Sequence, residues 1–560
     1  FRVRKMKWWQ SSVIYEIYPK SFYDTNNDGI GDLKGVEKKL PYLKELGIDA
    51  IWLTPIYLSP QIDNGYDVAD YRTVDPIFGN NQDLKELIDR AHRLNIKVIL
   101  DMVANHTSDQ CIWFKESKKS KDNYFSDFYI WKDPKPDGSE PNNWAASFGG
   151  SAWTYVPERS QYYLHYYASQ QPDLNWENPL VRQYVYDAMR YWKSQGVDGW
   201  RLDVITQISK DLTFKDVPTT DSNKKYIPLK NTSGPHMHKF IHELNQQVLK
   251  PFDMMSVGEA PNSNIEEILK LTSPERDELN MAFSFEHMRI DKAIGKNGAI
   301  AVKKPNFLKL KQVLSKMQYE LNSKSWNALY FENHDRSRIP TRWGNDTEYR
   351  YESATAFATI LHGLKGTPFI FQGEEIGMTN PKYSVDEYED IDLKNKYQEQ
   401  VKEKHLLTTD EFLKVEHKIA RDNARTPMQW NNKKNAGFTE GKPWYKVNPN
   451  FTEINVESDK LSKKSIFRYY QQLITLRHKE DILIKGDYQE LLEDDKNIFA
   501  YQRSWKNKSW LILVNMTEKD LSLNELHDNL KNYKKIILHN YLNQKLEDIL
   551  KPYEAYILEK

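Results

Sequence analysis

One cysteine, Cys111, is all that 560 residues contain. It excludes an intrachain disulfide and fits a reducing compartment, so a cytoplasmic protein is expected. Apolar runs of about 18 residues, the length a membrane-crossing helix needs, are missing. So is the apolar core of a secretion signal. Neither a membrane partner nor export is therefore expected. The chain also lacks an excess of either charge: Lys plus Arg and Asp plus Glu number 79 each. Without a basic field, nucleic acid is not an expected partner. Repeats and low-complexity linkers are absent too, so the lobes should pack as one body, a monomer. Met6 reads as the native start, with Phe1 to Lys5 a remnant of no significance.

What the chain does have is a series of runs that are apolar at nearly every position. They lie at Val13 to Tyr18, Ala50 to Ile56, Lys97 to Val103, GWRLDVI (199–205), MMSVGEA (254–260), NALYFENHD (327–335) and Pro368 to Gln372. Continuous rather than alternating apolar character suits parallel strands buried on both faces. Amphipathic stretches such as Leu84 to Leu94 and Pro179 to Trp192 repeat apolar residues at three and four positions and read as crossover helices.

Strand and helix units in alternation imply an α/β fold. The polar strand ends at Asp101, Arg201 with Asp203, Glu259, His334 with Asp335, and Glu374 favour one shared mouth, hence a (β/α)8 TIM barrel rather than an open sheet. The eighth strand is expected between Ile419 and Gln429.

The long interval after the third strand implies an inserted β-containing lobe at 105–171, with the barrel formed by 1–104 and 172–477. A charged, helix-prone excursion spans 380–429. From 478 to 560, short alternating runs suit a C-terminal antiparallel β-sandwich.

Asp203, Glu259 and Asp335 each follow a strand-like run. A single such Asp is more commonly a helix cap; three, with an Arg and a His beside them, suit chemistry that needs one ionised and one protonated carboxyl. Arg201, two residues before Asp203, projects to the same side and can keep it charged. The 16 Trp and 34 Tyr offer stacking faces for sugars. DTNNDGIGD (24–32) alternates oxygen ligands around Gly as the first half of a calcium loop does, but Gly35 occupies the twelfth position, so it is not an EF-hand.

WWQSSVIYEIYPKSF (8–22), DNGYD (63–67), DMVANHTS (101–108), QQPDLNWEN (170–178) and RDNARTPMQW (421–430) together resemble the alpha-amylase superfamily of glycoside hydrolases, in its oligo-1,6-glucosidase and alpha-glucosidase branch. The resemblance covers nearly the whole chain. It implies a retaining mechanism with Asp203 as nucleophile, Glu259 as acid and then base, and Asp335 holding sugar hydroxyls. It implies a one-glucose pocket of Asp63, Tyr66, His106, His334 and Arg421, with Arg425 competing for the last place and Phe148 and Gln171 lining it. It also implies a structural calcium held by Asp24, Asn26, Asp28, the Ile30 carbonyl and Asp32, and no organic cofactor.

Val204 after the nucleophile goes, in that branch, with α-1,6 linkages, so the expected substrates are isomaltose and short isomalto-oligosaccharides attacked at non-reducing ends. NHDRSR departs from the branch by placing Arg336 and Ser337 beside Asp335. That extra charge keeps trehalose-6-phosphate hydrolase as the alternative, ahead of a sucrose isomerase or a non-catalytic scaffold.

Overall fold

The computed structural model describes residues 5–523 and 530–560; Phe1 to Arg4 of the segment read as a remnant lie outside them. Eight parallel strands form the barrel: β1 Ile14–Ile17, β2 Ala50–Leu53, β3 Lys97–Met102, β4 Gly199–Leu202, β5 Met255–Glu259, β6 Met281–Phe283, β7 Ala328–Leu329 and β8 Thr367–Phe371. Their hydrogen-bonded order is β6-β5-β4-β3-β2-β1-β8-β7. Every residue of β1, β2 and β4 is buried, as the unbroken apolar runs require. The ring closes between β6 and β7, where the Tyr330 hydroxyl donates to the Ser284 carbonyl at 2.7 Å and Phe283 meets the Tyr330 ring edge-on at 5.2 Å.

The eighth strand is therefore not at Ile419 to Gln429. It is β6, and Arg421–Ala424 forms a 3-10 turn instead. A strand of three residues is too short to carry a period, and the Arg421 segment alternates charge with polarity rather than forming an apolar run.

The helices follow their local signals. Helix α1 (Leu33–Leu46) is capped by Asp32, which accepts from the Gly35 amide, and ends on Gly47 at φ 106. Helix α2 (Asn81–Arg93) opens with a reciprocal Asn80/Asp83 capping box. Helix α3 (Pro179–Ser194) has Pro at its first position behind an Asn178 cap.

After β3 the chain leaves the barrel for a lobe whose three-stranded antiparallel sheet pairs Trp131–Lys132, Gln161–Leu164 and Trp153–Val156. At its base Asp173, in a buried 2.9 Å ion pair with Lys210, accepts from the lobe's Tyr166 amide at 3.0 Å and so ties it to the barrel. After β8 comes the second excursion, which carries helix α5 (Thr409–Ile419).

The C-terminal domain is a five-stranded antiparallel sheet beside a two-stranded ribbon. Phe499, Tyr501 and Ile512 join the barrel core, while Ile498, Ala500 and Leu511 join a second cluster with Leu523 and Leu550. Both sheet faces are thus buried. Helix α4 (Arg350–Gly363), buried nearly all round, is the barrel's contact: its Ile360 carbonyl accepts from the Tyr501 hydroxyl at 2.6 Å. Among the described residues no helix is long and apolar enough to cross a membrane.

Candidate active site

The C-terminal ends of β3, β4 and β5 deliver the first half of the site. Asp101 and Arg201 are register partners on adjacent strands, so their side chains rise side by side. Arg201 is 1% exposed. Its Nη1 donates to Asp203 at 2.8 Å and to both Asp101 oxygens at 3.2 and 3.3 Å, and its Nη2 donates to Glu259. One guanidinium thus gathers three carboxylates. Burial disfavours its charge, but Asp101, Tyr66, Asp203 and Asp335 hold it well above the usual arginine range. Burial pushes Asp101 up to about 6 against the pull of Arg201.

The second half comes from the loop after β7 and from the excursion after β8. Asp335 accepts from Arg425 at 2.9 Å, lies 3.5 Å from Arg421, and faces His334 Nε2 at 3.3 Å. Burial works against its charge; His334, Arg421 and Arg425 outweigh that and hold the carboxyl well below its usual range. Arg421 also binds Asp63 at 2.9 Å and grips Asp390 with two 2.7 Å hydrogen bonds. Arg421 and Arg425 both reach Asp335.

His334 is held at both ring nitrogens and stacked among aromatic rings. Its Nδ1 donates to Glu16 at 2.5 Å, and its ring stacks on Tyr66 at 5.1 Å and Tyr18 at 6.3 Å. Burial lowers its basicity, but Asp335 and Glu16 raise it to about 9, so it is an imidazolium at neutral pH.

His106 Nε2 donates to the Tyr66 carbonyl at 2.9 Å and its Nδ1 accepts from Asn105 at 3.1 Å, which places the His106 ring against the Tyr66 backbone. Gln171 reinforces that link, donating to the same carbonyl at 3.1 Å and to Asp63 at 3.0 Å. Tyr66 in turn donates to Asp101 at 2.8 Å, joining the two halves.

Phe148, on the lobe, lies 4.9 Å beneath the Arg421 guanidinium, and its carbonyl accepts from Asn395 of the excursion at 3.3 Å. Lobe and excursion therefore touch across the mouth. Val204, directly after Asp203, is buried with φ 33 and ψ 42, a left-handed conformation that costs a β-branched residue strain.

Glu16 and Asp390 are site residues that the sequence does not single out, whereas Asp101 stands among the strand ends and Arg425 beside Arg421 in its motif. Glu16 and Asp390 had no signal, because their partners are hundreds or tens of residues away in sequence.

The DTNNDGIGD loop is self-satisfied. Asp24 accepts from the Asn26, Asn27 and Gly29 amides, Asp28 from Ile30, and Asp32 from Thr25 and Gly35. Asp24, Asn26, Asp28, the Ile30 carbonyl and Asp32 all offer oxygen, the ligand type calcium takes. Among the described residues, no three His, Cys, Asp or Glu side chains group as a metal cage. A cavity of about 860 Å³ lies elsewhere, between residues 295–305, α5 and the C-terminal domain, and holds none of the candidate residues.

Known proteins resemble the chain over nearly its whole length. The family model described as "Alpha amylase, catalytic domain" matches residues 16–486. An oligo-1,6-glucosidase of Heyndrickxia coagulans is 53% identical over 99% of this chain and 100% of its own. A trehalose-6-phosphate hydrolase of Bacillus subtilis (strain 168) is 45% identical over 92% of this chain and 90% of its own. The crystal structure of the Bacillus licheniformis trehalose-6-phosphate hydrolase superposes with a TM-score of 0.90 at 44% identity, covering 99% of both chains.

Proposed function

The chain belongs to the alpha-amylase family, and from that premise we propose that it is a retaining, exo-acting α-glucosidase that releases glucose from α-1,6-linked isomaltose and short isomalto-oligosaccharides. The observation that carries the mechanism is the Arg201 fork, which brings Asp203 and Glu259 to one guanidinium at the barrel mouth. Asp203 attacks the anomeric carbon while Glu259 gives its proton to the glycosidic oxygen, so the C–O bond breaks and the aglycone leaves as an alcohol. A glucosyl ester of Asp203 forms. Glu259, now ionised, takes a proton from water, and the hydroxide attacks the same carbon from the opposite side to Asp203, releasing glucose with its configuration retained. Asp335, braced by Arg421 and Arg425, holds ring hydroxyls as the sugar flattens.

Exo attack is supported by the Asn395 to Phe148 contact, which closes one side of the mouth. The linkage preference is supported by Val204 and by the likeness to oligo-1,6-glucosidases. A structural calcium on the Asp24 to Asp32 loop belongs to the proposal, resting on its oxygen-only donors.

The test is glucose release from isomaltose by the parent and by Asp203→Asn, with proton NMR of the first product. An α-anomer from the parent and a dead variant support the proposal. A β-anomer sinks the retaining mechanism.

A second reading has its own observation. Arg336 lies 4.9 Å and Arg289 5.9 Å from the ring centre of Phe285, and neither has an ion-paired carboxylate among the described residues. Lys292, exposed on its short strand, is near enough for Arg336 and Arg289 to oppose its charge. Arg336, next to Asp335 in the chain and with Arg289 and Lys292 near it, suits a leaving group that carries phosphate, as in trehalose 6-phosphate. If kcat/KM on that sugar exceeds the value on isomaltose by more than tenfold, about 1.4 kcal/mol in barrier, the second reading replaces the first.

A further inference from the structure

We propose that Glu16, on β1 at the floor of the pocket, is a positioning residue that acts on the sugar through His334. The residue is 1% exposed. Its Oε2 accepts from His334 Nδ1 at 2.5 Å, while its Oε1 is buried without a hydrogen-bond partner. A carboxylate so placed is costly to bury unless the group it touches is a cation.

Aromatic rings pack around it: Tyr66 and Tyr18 lie nearly parallel to it at interplanar angles of 8° and 12°, and Trp52 meets it edge-on at 5.9 Å. The charged groups around it come from several elements: Glu16 on β1, Asp101 on β3, Asp335 on its own loop, and Arg425, which donates to the His334 carbonyl at 2.9 Å. Arg201 sits on Asp101 and Arg421 and Arg425 on Asp335, so among the described residues Glu16 is the acid of this set with no arginine against it, and the imidazolium is its balancing charge, in line with its raised basicity.

The consequence falls at the other nitrogen. Because Nδ1 is spent on Glu16, Nε2 carries the second N–H and points at Asp335 across 3.3 Å. That contact is long enough for a sugar hydroxyl to share the donor. Without the Glu16 charge the ring is free to become neutral, and one of its two tautomers then turns a lone pair toward Asp335 and the sugar, where a donor is needed. Glu16 touches no substrate; it sets which form of His334 does.

This rests on the Asp335 pocket being the glucose subsite, and the test separates the two ideas. kcat/KM is measured on p-nitrophenyl α-glucoside, whose hydrolysis needs no particular linkage, for the parent, Glu16→Gln, His334→Asn and the double variant. Glu16→Gln is expected to cost at least about tenfold in the parent and less than about twofold in His334→Asn, since the residue through which it acts is then gone. The same loss in both backgrounds, or none in the parent, overturns the proposal. An inactive parent instead sinks the glucosidase reading. Should Glu16→Gln fail to fold, Glu16→Asp runs through the same cycle with the same criteria.

Discussion

Asp101 and Arg201 face each other across β3 and β4 as register partners, and the guanidinium nitrogen of one lies 3.2 and 3.3 Å from the two carboxylate oxygens of the other. Strand pairing therefore pre-aligns the cation whose remaining hydrogens reach Asp203 and Glu259. Asp101, from the barrel wall, anchors Arg201; Arg201 in turn aims the two carboxylates proposed to do chemistry.

Removing that cation should be severe. Arg201→Ala leaves three buried carboxylates without their shared partner, and breaking a buried ion pair by deleting one side costs about 3–5 kcal/mol of stability. Urea unfolding should show that loss, and kcat/KM should fall by roughly a hundredfold or more as aim is lost. Arg201→Lys, which keeps charge but loses the fork, should fall between the two. Equal activity in the lysine variant and the parent would contradict the fork's role.

The two arginines on Asp335 should behave differently. Arg421 is solvent-accessible at the rim and binds Asp63 and Asp390, whereas Arg425 is 2% exposed and also holds the His334 carbonyl. Arg421→Lys should raise KM about tenfold with kcat nearly kept, as expected when binding is lost equally in ground and transition states. Arg425→Lys should lower kcat and the melting temperature together.

The pH dependence of stability follows from His334. Its folded pKa of about 9 lies above its ordinary value of 6.5, so the stabilisation is complete below 6.5 and is lost as pH rises through 9. The melting temperature of the parent should fall across that window, and His334→Asn should fall less. Asp335 carries the opposite sign: held below its ordinary 3.8, it contributes above that pH and loses its contribution only in stronger acid.

Val204 holds φ 33 beside the nucleophile. Asn tolerates this backbone region, so Val204→Asn should relieve about 1 kcal/mol of local strain. It should also shift the ratio of maltose to isomaltose turnover toward maltose, by about tenfold on the linkage preference proposed for this position. Unchanged selectivity would remove Val204 from the specificity argument.

Calcium on the Asp24 to Asp32 loop would use the remaining lone pairs of carboxylates that already accept amide hydrogen bonds. Millimolar calcium should raise the melting temperature by a few degrees after chelator treatment, with kcat unchanged, since the loop supplies no reacting group. A Tyr23 to Asn27 segment insensitive to both calcium and chelator by hydrogen exchange would exclude the metal.

Much of this architecture was legible before folding. Seven barrel strands announced themselves as unbroken apolar runs because both faces of a parallel strand are covered. β6 did not, since Met281, Ala282 and Phe283 form too short a run to stand apart from their surroundings. Asp203, Glu259 and Asp335 could be singled out because each closes a run, and Arg201 because it shares a side with Asp203 two residues on.

The chain by itself determined which residues stand at the strand ends, since alternation and burial are local consequences of order along the backbone. Only the tertiary structure decided that Glu16 meets His334 across 318 positions and that Arg425 meets Asp335 across 90. Those contacts depend on ring closure bringing β1 beside β8 and on an excursion folding back over the mouth, and charge balance in a buried pocket is a property of everything that converges there, not of any one segment.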